Sequence, residues 1–141
     1  KTIDVDQNAA MRLIDDCAKD GVRRFVMVSA IGADPKSESD RIRHYLRAKG
    51  VADNHLRASG LDYVILQPGR LQDEPGTGRI EVAEDLERHE TIAREDVADA
   101  ITECLRNYLT ISKTIRMVSG ELKIKDAIAQ FAGGGNLPPI A

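Results

Sequence analysis

The chain has 141 residues, 42% hydrophobic and 30% charged, with a formal net charge of −3. That length suits one domain with a real core, and that charge gives no electrostatic case for nucleic acid or an anionic membrane. No apolar run approaches the roughly 18 residues of a membrane span, and the first residues do not have the form of a signal peptide.

Asp4 or Asp6 is placed to cap a first helix, and acidic residues in a first turn suit the helix dipole. Ala10, Leu13, Ile14 and Cys17 follow at i, i+3, i+4, i+7, the spacing of a buried helical stripe. Gly21 ends this helix. Arg24 to Ser29 is then a continuous apolar run with β-branched residues, the pattern of a strand buried on both faces.

The loop from Ala30 to Glu38 holds the turn residues Gly32, Pro35 and Ser37. Ser39 or Asp40 is expected to cap a long helix reaching about Ser59, with Ile42, Tyr45, Leu46, Ala52 and Leu56 on its apolar side. Gly50 in its middle costs roughly 1 kcal/mol relative to Ala, and the sequence offers no reason for it. Leu61 to Gln67 is a second buried strand, stopped by Pro68 and Gly69.

A turn-rich loop covers Gln72 to Gly78, short strands are expected at Arg79 to Val82 and at Thr91 and Ile92, and Glu84 to Glu90 has the look of a solvated charged segment. A helix from about Arg94 to Leu109 should bury Val97, Ile101, Cys104, Leu105 and Tyr108. Thr114 to Ser119 makes a third buried strand, and Glu121 to Ala132 a last helix burying Ile124, Ala127, Ile128 and Phe131. The Gly/Pro-rich tail from Gly133 to Ala141 is expected to be flexible. Alternating helices and strands imply an α/β fold, a doubly wound parallel sheet with helices on both faces.

Within this order, Tyr45 and Lys49 are four residues apart and share a helix face. Ser29 falls where a parallel strand ends, the side of an open α/β sheet that receives ligands. A hydroxyl, a phenol and an ammonium could therefore converge. The other titratable residues are less informative. His44, His55 and His89 have no metal-ligand spacing, and no metal site is expected. Cys17 and Cys104, far apart and without a CxxC, fit reduced core residues and so a cytoplasmic location.

The runs Asp4 to Asp15, Gly21 to Ala33 and His44 to Lys49 resemble the atypical short-chain dehydrogenase/reductases, in particular their small NAD(P)-binding, epimerase-like members. The segments Leu61 to Leu71, Asp73 to Gly78 and Ile92 to Ala98 continue the resemblance, which covers about residues 2 to 131. It implies a Rossmann-like fold, an NADP or NAD cofactor and a small carbonyl or hydroxyl substrate. It also implies that Tyr45 is the general acid/base, with Lys49 donating to the nucleotide ribose and lowering the phenol pKa. Ser29 would then orient the substrate carbonyl, and Asp6 would stand where the family usually has Asn. Ser29, Ala30, Tyr45, Lys49, Gln67, Pro68, Gly69 and Arg70 would border the cofactor, Gln67 replacing a frequent Arg.

Asp96 would match the start of a family helix, as a structural residue. The family opens on a strand and a glycine-rich phosphate loop, so residues 1–132 are expected to be the C-terminal part of one such domain. Two further readings stay open: a regulatory domain that binds NADP without turnover, and a fragment that binds nothing.

Overall fold

A computed structural model of the chain describes residues 1–133. The expected tail from residue 134 onward lies outside the described residues. Ile3–Ala9 is wound as a π-helix that runs into α1 (Ala10–Lys19). Then follow β1 (Arg24–Val28), α2 (Arg43–Arg57), β2 (Asp62–Pro68), β3 (Arg70–Gln72), β4 (Arg79–Val82) and β5 (Thr91–Ala93). The chain continues through α3 (Arg94–Arg106), a 3₁₀ turn (Tyr108–Thr110), β6 (Lys113–Ser119), β7 (Leu122–Lys123) and α4 (Ile124–Ala132).

The main sheet has the order β1-β2-β6-β4-β7. The strands β1, β2 and β6 are parallel, with Val28 opposite Leu66 and Leu66 opposite Ile115. On the far side of β6, β4 runs antiparallel and pairs with β7, while β3 and β5 form a separate parallel pair. The mostly parallel α/β sheet agrees with the sequence; the antiparallel margin is an addition to it.

Alternation along β1 and β2 divides the core between the two faces. Val64 and Leu66 join Ile115 and Met117 against Val97, Ala100 and Cys104 of α3 and Ala127 and Ile128 of α4. Phe25, Met27 and Ile65 turn the other way, onto Ile14 of α1 and Leu56 of α2. Ser29 and Gln67 have the same parity as Met27 and Ile65, so they face α2.

Several local expectations are corrected. Neither the first helix nor α2 has a side-chain cap; α2 starts at Arg43, after Ile42 at φ −127°. Leu13 is 56% exposed, and Ile14 alone of α1 is fully buried. The third helix stops at Arg106, which leaves Leu105 half-exposed and Tyr108 75% exposed. The Tyr108 ring covers the Arg24 guanidinium, 5.1 Å from its centroid. The last helix starts three residues late because Leu122 and Lys123 pair with β4. Both cysteines are free, and among the described residues no helix is long and apolar enough to cross a membrane.

Gly50 acquires a reason. Its Cα lies against the backbone of the β1–α2 loop, where a Cβ would come within 2.5 Å of Pro35 N and 2.6 Å of Asp34 Cα. The Asp34 N–H donates to Leu46 O at 3.1 Å, so the loop is bonded along this same flank of α2. We expect Gly50→Ala to destabilise the fold by about 1–3 kcal/mol despite the better helix propensity of Ala. Urea unfolding of the two proteins measures this, and a neutral or stabilising result would show that the loop yields.

Candidate functional site

The site is built where β1 and β2 end and α2 passes over them. Ser29 follows the last residue of β1 and is 4% exposed. Its hydroxyl donates to Asp53 Oδ2 of α2 at 2.7 Å. Gln67, near the end of β2, donates from Nε2 to the same oxygen at 3.2 Å. Arg116 Nε reaches Gln67 Oε1 at 3.4 Å, and Arg116 Nη1 donates to Glu84 O at 2.9 Å. A polar thread, buried at Ser29, Asp53 and Gln67 and open at Arg116, thus ties α2 to three neighbouring strands.

Asp53 was not singled out in the sequence, although a signal existed. It lies seven residues after Leu46 and four after Lys49, so a carboxylate sits on the stripe that faces the sheet. It is completely buried, and its Oδ1 has no hydrogen-bond partner. Burial pushes its pKa above the usual carboxylate value, only partly opposed by the Ser29 and Gln67 hydrogen bonds and by the charges of Arg57 and Lys49.

One turn before Asp53, Lys49 directs its ammonium at Val28 O, 3.5 Å away, and at Asp6 Oδ1, 3.6 Å away. It also lies 5.8 Å from the Tyr45 ring centroid. Both polar contacts are long for charge-assisted bonds, so the ammonium keeps donor capacity. Tyr45, Lys49 and Asp53 are all on α2, and Ser29 bonds to Asp53. The serine hydroxyl and the phenol–ammonium pair therefore occupy one side of the sheet.

The expected effect of Lys49 on Tyr45 is corrected. The Tyr45 pKa is raised rather than lowered: burial is the main cause, Asp6 and Asp53 add to it, and Arg88 alone opposes it. The ammonium faces Asp6, 3.6 Å away. The Ser29 hydroxyl has one proton to give, and in this structure it gives it to Asp53.

The remaining predicted residues border this ground. Ala30 is buried beside Ser29, and the Ile31 N–H donates to Pro68 O at 3.1 Å. Gly69 admits Glu90 O where a Cβ would collide, and the Arg70 N–H is shared between Arg88 O at 3.1 Å and Glu90 O at 2.8 Å. Asp96 is structural: its carboxylate accepts from the N–H groups of Thr77 and Gly78. Among the described residues no cluster of His, Cys, Asp or Glu could hold a metal.

A cleft of about 340 Å³ opens along β1, lined by Asp6, Leu13, Val26, Val28, Lys49 and Ala52, among others. Its lining is mostly apolar, with Lys49 and Asp6 its charged residues, and it runs along β1, the edge strand of the main sheet. Of the residues expected to border a nucleotide, Lys49 alone lines this cleft, and an ammonium with spare donors is a group of the kind that holds a ribose hydroxyl. The glycine-rich loop that would cradle its phosphates has no counterpart among the described residues.

Fold and site together define a Rossmann-like α/β protein of the atypical short-chain dehydrogenase/reductase kind. The profile of the NAD(P)H-binding family matches residues 1–108, and the chain belongs to that family. It is 39% identical to the uncharacterized sugar epimerase YhfK of Bacillus subtilis over 132 residues, 93% of this chain and 61% of the relative. Among solved structures, a Bacillus halodurans protein provisionally named an NAD-dependent epimerase/dehydratase superposes with a TM-score of 0.87 at 39% identity. That match covers 92% of this chain and 62% of the other. The oxidoreductase ylbE of Lactococcus lactis gives 0.85 at 32% identity, over 97% and 64% of the two chains. The chain thus spans somewhat under two thirds of the length of these proteins.

Proposed function

We propose that this chain carries the proton-transfer side of an NAD(P)H-dependent oxidoreductase or epimerase that acts on a small carbonyl or hydroxyl compound. The observation that carries the reading is the placing of Tyr45 and Lys49 one turn apart on α2, beside the end of β1, with the ammonium held among the described residues by two long polar contacts. In this reading Lys49 would bind the ribose hydroxyls and the segment Gln67 to Arg70 would border the nicotinamide. When bound, a nicotinamide supplies or takes up hydride. Tyr45 gives the proton to the carbonyl oxygen, a role suited to a phenol whose pKa is held high and which stays protonated at neutral pH. Asp53 fixes Ser29 and, through Ser29 and Gln67, the seat of α2 on the strand ends. The epimerase and oxidoreductase names of the relatives agree with chemistry at a carbon bearing oxygen.

A second reading, a domain that senses NADP without turnover, draws on the Ser29 hydroxyl being committed to Asp53. Titrating NADPH fluorescence against the chain tests what both readings share. Binding is expected, and Lys49→Met is expected to weaken it about tenfold, the loss of one charged hydrogen bond. No binding, or equal binding by the variant, would remove the cofactor assignment.

A further inference from the structure

A second groove, of about 470 Å³, runs between α3 and the pair formed by β4 and β7. It shares no residue with the cleft along β1. Its base is firmly held. The Asp96 carboxylate, at the start of α3, accepts from Thr77 N at 3.0 Å and Gly78 N at 2.9 Å. Gly78 O in turn accepts from Ile124 N at 3.2 Å. The turn that leads into β4 is thereby fixed to the first residues of both α3 and α4.

One wall of the groove is basic, and its charges are set against each other. In the antiparallel pairing of β4 with β7, Arg79 stands directly opposite Lys123. Residues so placed share a face of the sheet, and like charges there are destabilising. Lys125, at the start of α4, adds a third cation to the same groove. Among the described residues no carboxylate pairs with Arg79, Lys123 or Lys125. Arg79 Nη1 instead donates to the backbone oxygen of Glu121 at 2.7 Å. All three side chains are exposed, so a ligand entering the groove reaches them. An anion seated between Arg79 and Lys123 converts their repulsion into attraction for a common partner.

The opposite wall, on α3, restricts what that anion carries. Asp99 has no cationic partner among the described residues, and Glu103 has Arg106 at 3.8 Å. Two carboxylates on this wall repel a second negative group and accept hydrogen bonds from hydroxyls. On the basic wall, three cations suit a phosphate, with its near-double charge and three acceptor oxygens, better than a carboxylate.

We propose that this groove binds the phosphate monoester of a hydroxyl-bearing compound. The phosphate lies among Arg79, Lys123 and Lys125, and the hydroxyls lie along Asp99 and Glu103. The groove has the volume of a small-molecule site. Neither the nicotinamide nor the role of Tyr45 enters the argument.

The test titrates the chain with glucose 6-phosphate at constant ionic strength, followed by thermal midpoint and isothermal calorimetry. Glucose and pyrophosphate are the comparisons. Glucose 6-phosphate is expected to bind saturably and glucose not at all. Pyrophosphate should bind more weakly, because its second phosphate meets the α3 carboxylates. Lys123→Met should weaken binding about tenfold or more. It should also raise the midpoint of the unliganded protein, because the repulsion with Arg79 is gone. Lys125→Met, which faces no cation across the β4–β7 pair, should weaken binding without that rise. Lys49→Met, in the cleft along β1, should leave binding unchanged. The proposal is overturned by absent saturable binding, by tighter binding of pyrophosphate, or by a lowered midpoint in Lys123→Met. Equal weakening by Lys49→Met and Lys123→Met would also overturn it, by placing the ester elsewhere.

Discussion

Replacing Tyr45 with Phe is expected to lower turnover by about 10²–10⁴-fold, the usual contribution of one positioned proton donor. The assay is NADPH oxidation over a panel of small carbonyl compounds. Stability should barely move, because the Tyr45 hydroxyl makes no hydrogen bond among the described residues and the ring that packs is retained. The pH profile gives a sharper test. A proton donor must be protonated, so the reduction rate should hold through neutral pH and fall only as pH rises past the raised phenol pKa. Asp6→Asn removes one of the charges that hold the value up, so the fall should move to lower pH. Arg88→Gln removes the cation that holds it down and should move the fall to higher pH. A profile indifferent to both substitutions, or full turnover by Tyr45→Phe, would take the proton from another group and favour the sensing domain.

Those opposed shifts rest on residues of unequal legibility. Tyr45, Lys49 and Ser29 could be read because spacing and strand ends are local facts, written within 25 residues of each other. The strands β1 and β2 are visible as apolar runs and β6 as an apolar stretch broken by Arg116; of the three, β1 is the edge strand and only half-buried, against the expectation that both its faces are covered. By contrast β3 and β7, of three and two residues, exist only through partners distant in the chain, and no pattern that short carries a period. The same holds for the antiparallel placing of β4, which a tertiary pairing decides. Asp53 and Arg88 are hard to read for different reasons. A carboxylate on an apolar stripe gives little sign of its burial, because buried acids are rare. Arg88 was given to solvent with its charged neighbours, although Leu86, the lone large apolar residue among them, was the sign that this segment is tethered. The function of Gly50 was out of reach for a simpler reason: a close approach between loop and helix leaves no periodic trace in sequence.

Replacing Asp53 with Asn is expected to act on stability and function in opposite directions. The wild-type carboxylate is buried, bonded by two neutral donors on one oxygen, and left with the other oxygen unpaired. Its pKa in the folded protein therefore stands above its ordinary value of 3.8, with burial as the leading cause. A group so shifted binds more protons when folded than when unfolded. Its contribution to stability is complete below the unfolded value and is lost as pH rises through the folded value. Asn cannot ionise, so it escapes that loss. The difference in unfolding free energy, Asn variant minus wild type, should accordingly grow from pH 4 upward and level off once the folded Asp53 is fully ionised. At pH 8 a gain on the order of 1 kcal/mol is expected, tempered by the amide N–H groups that Asn would bring to the unpaired side. Measuring both proteins by urea unfolding at several pH values cancels the carboxylates they share. Turnover should fall in the same variant, because the amide is a weaker acceptor for Ser29 and Gln67 and loosens the seat of α2 under Tyr45 and Lys49. A gain in stability with a loss of turnover would mark the charge as functional. If the variant is instead less stable at pH 8 than wild type, the carboxylate is better compensated than its contacts indicate. Its place beneath the site would then be ordinary packing.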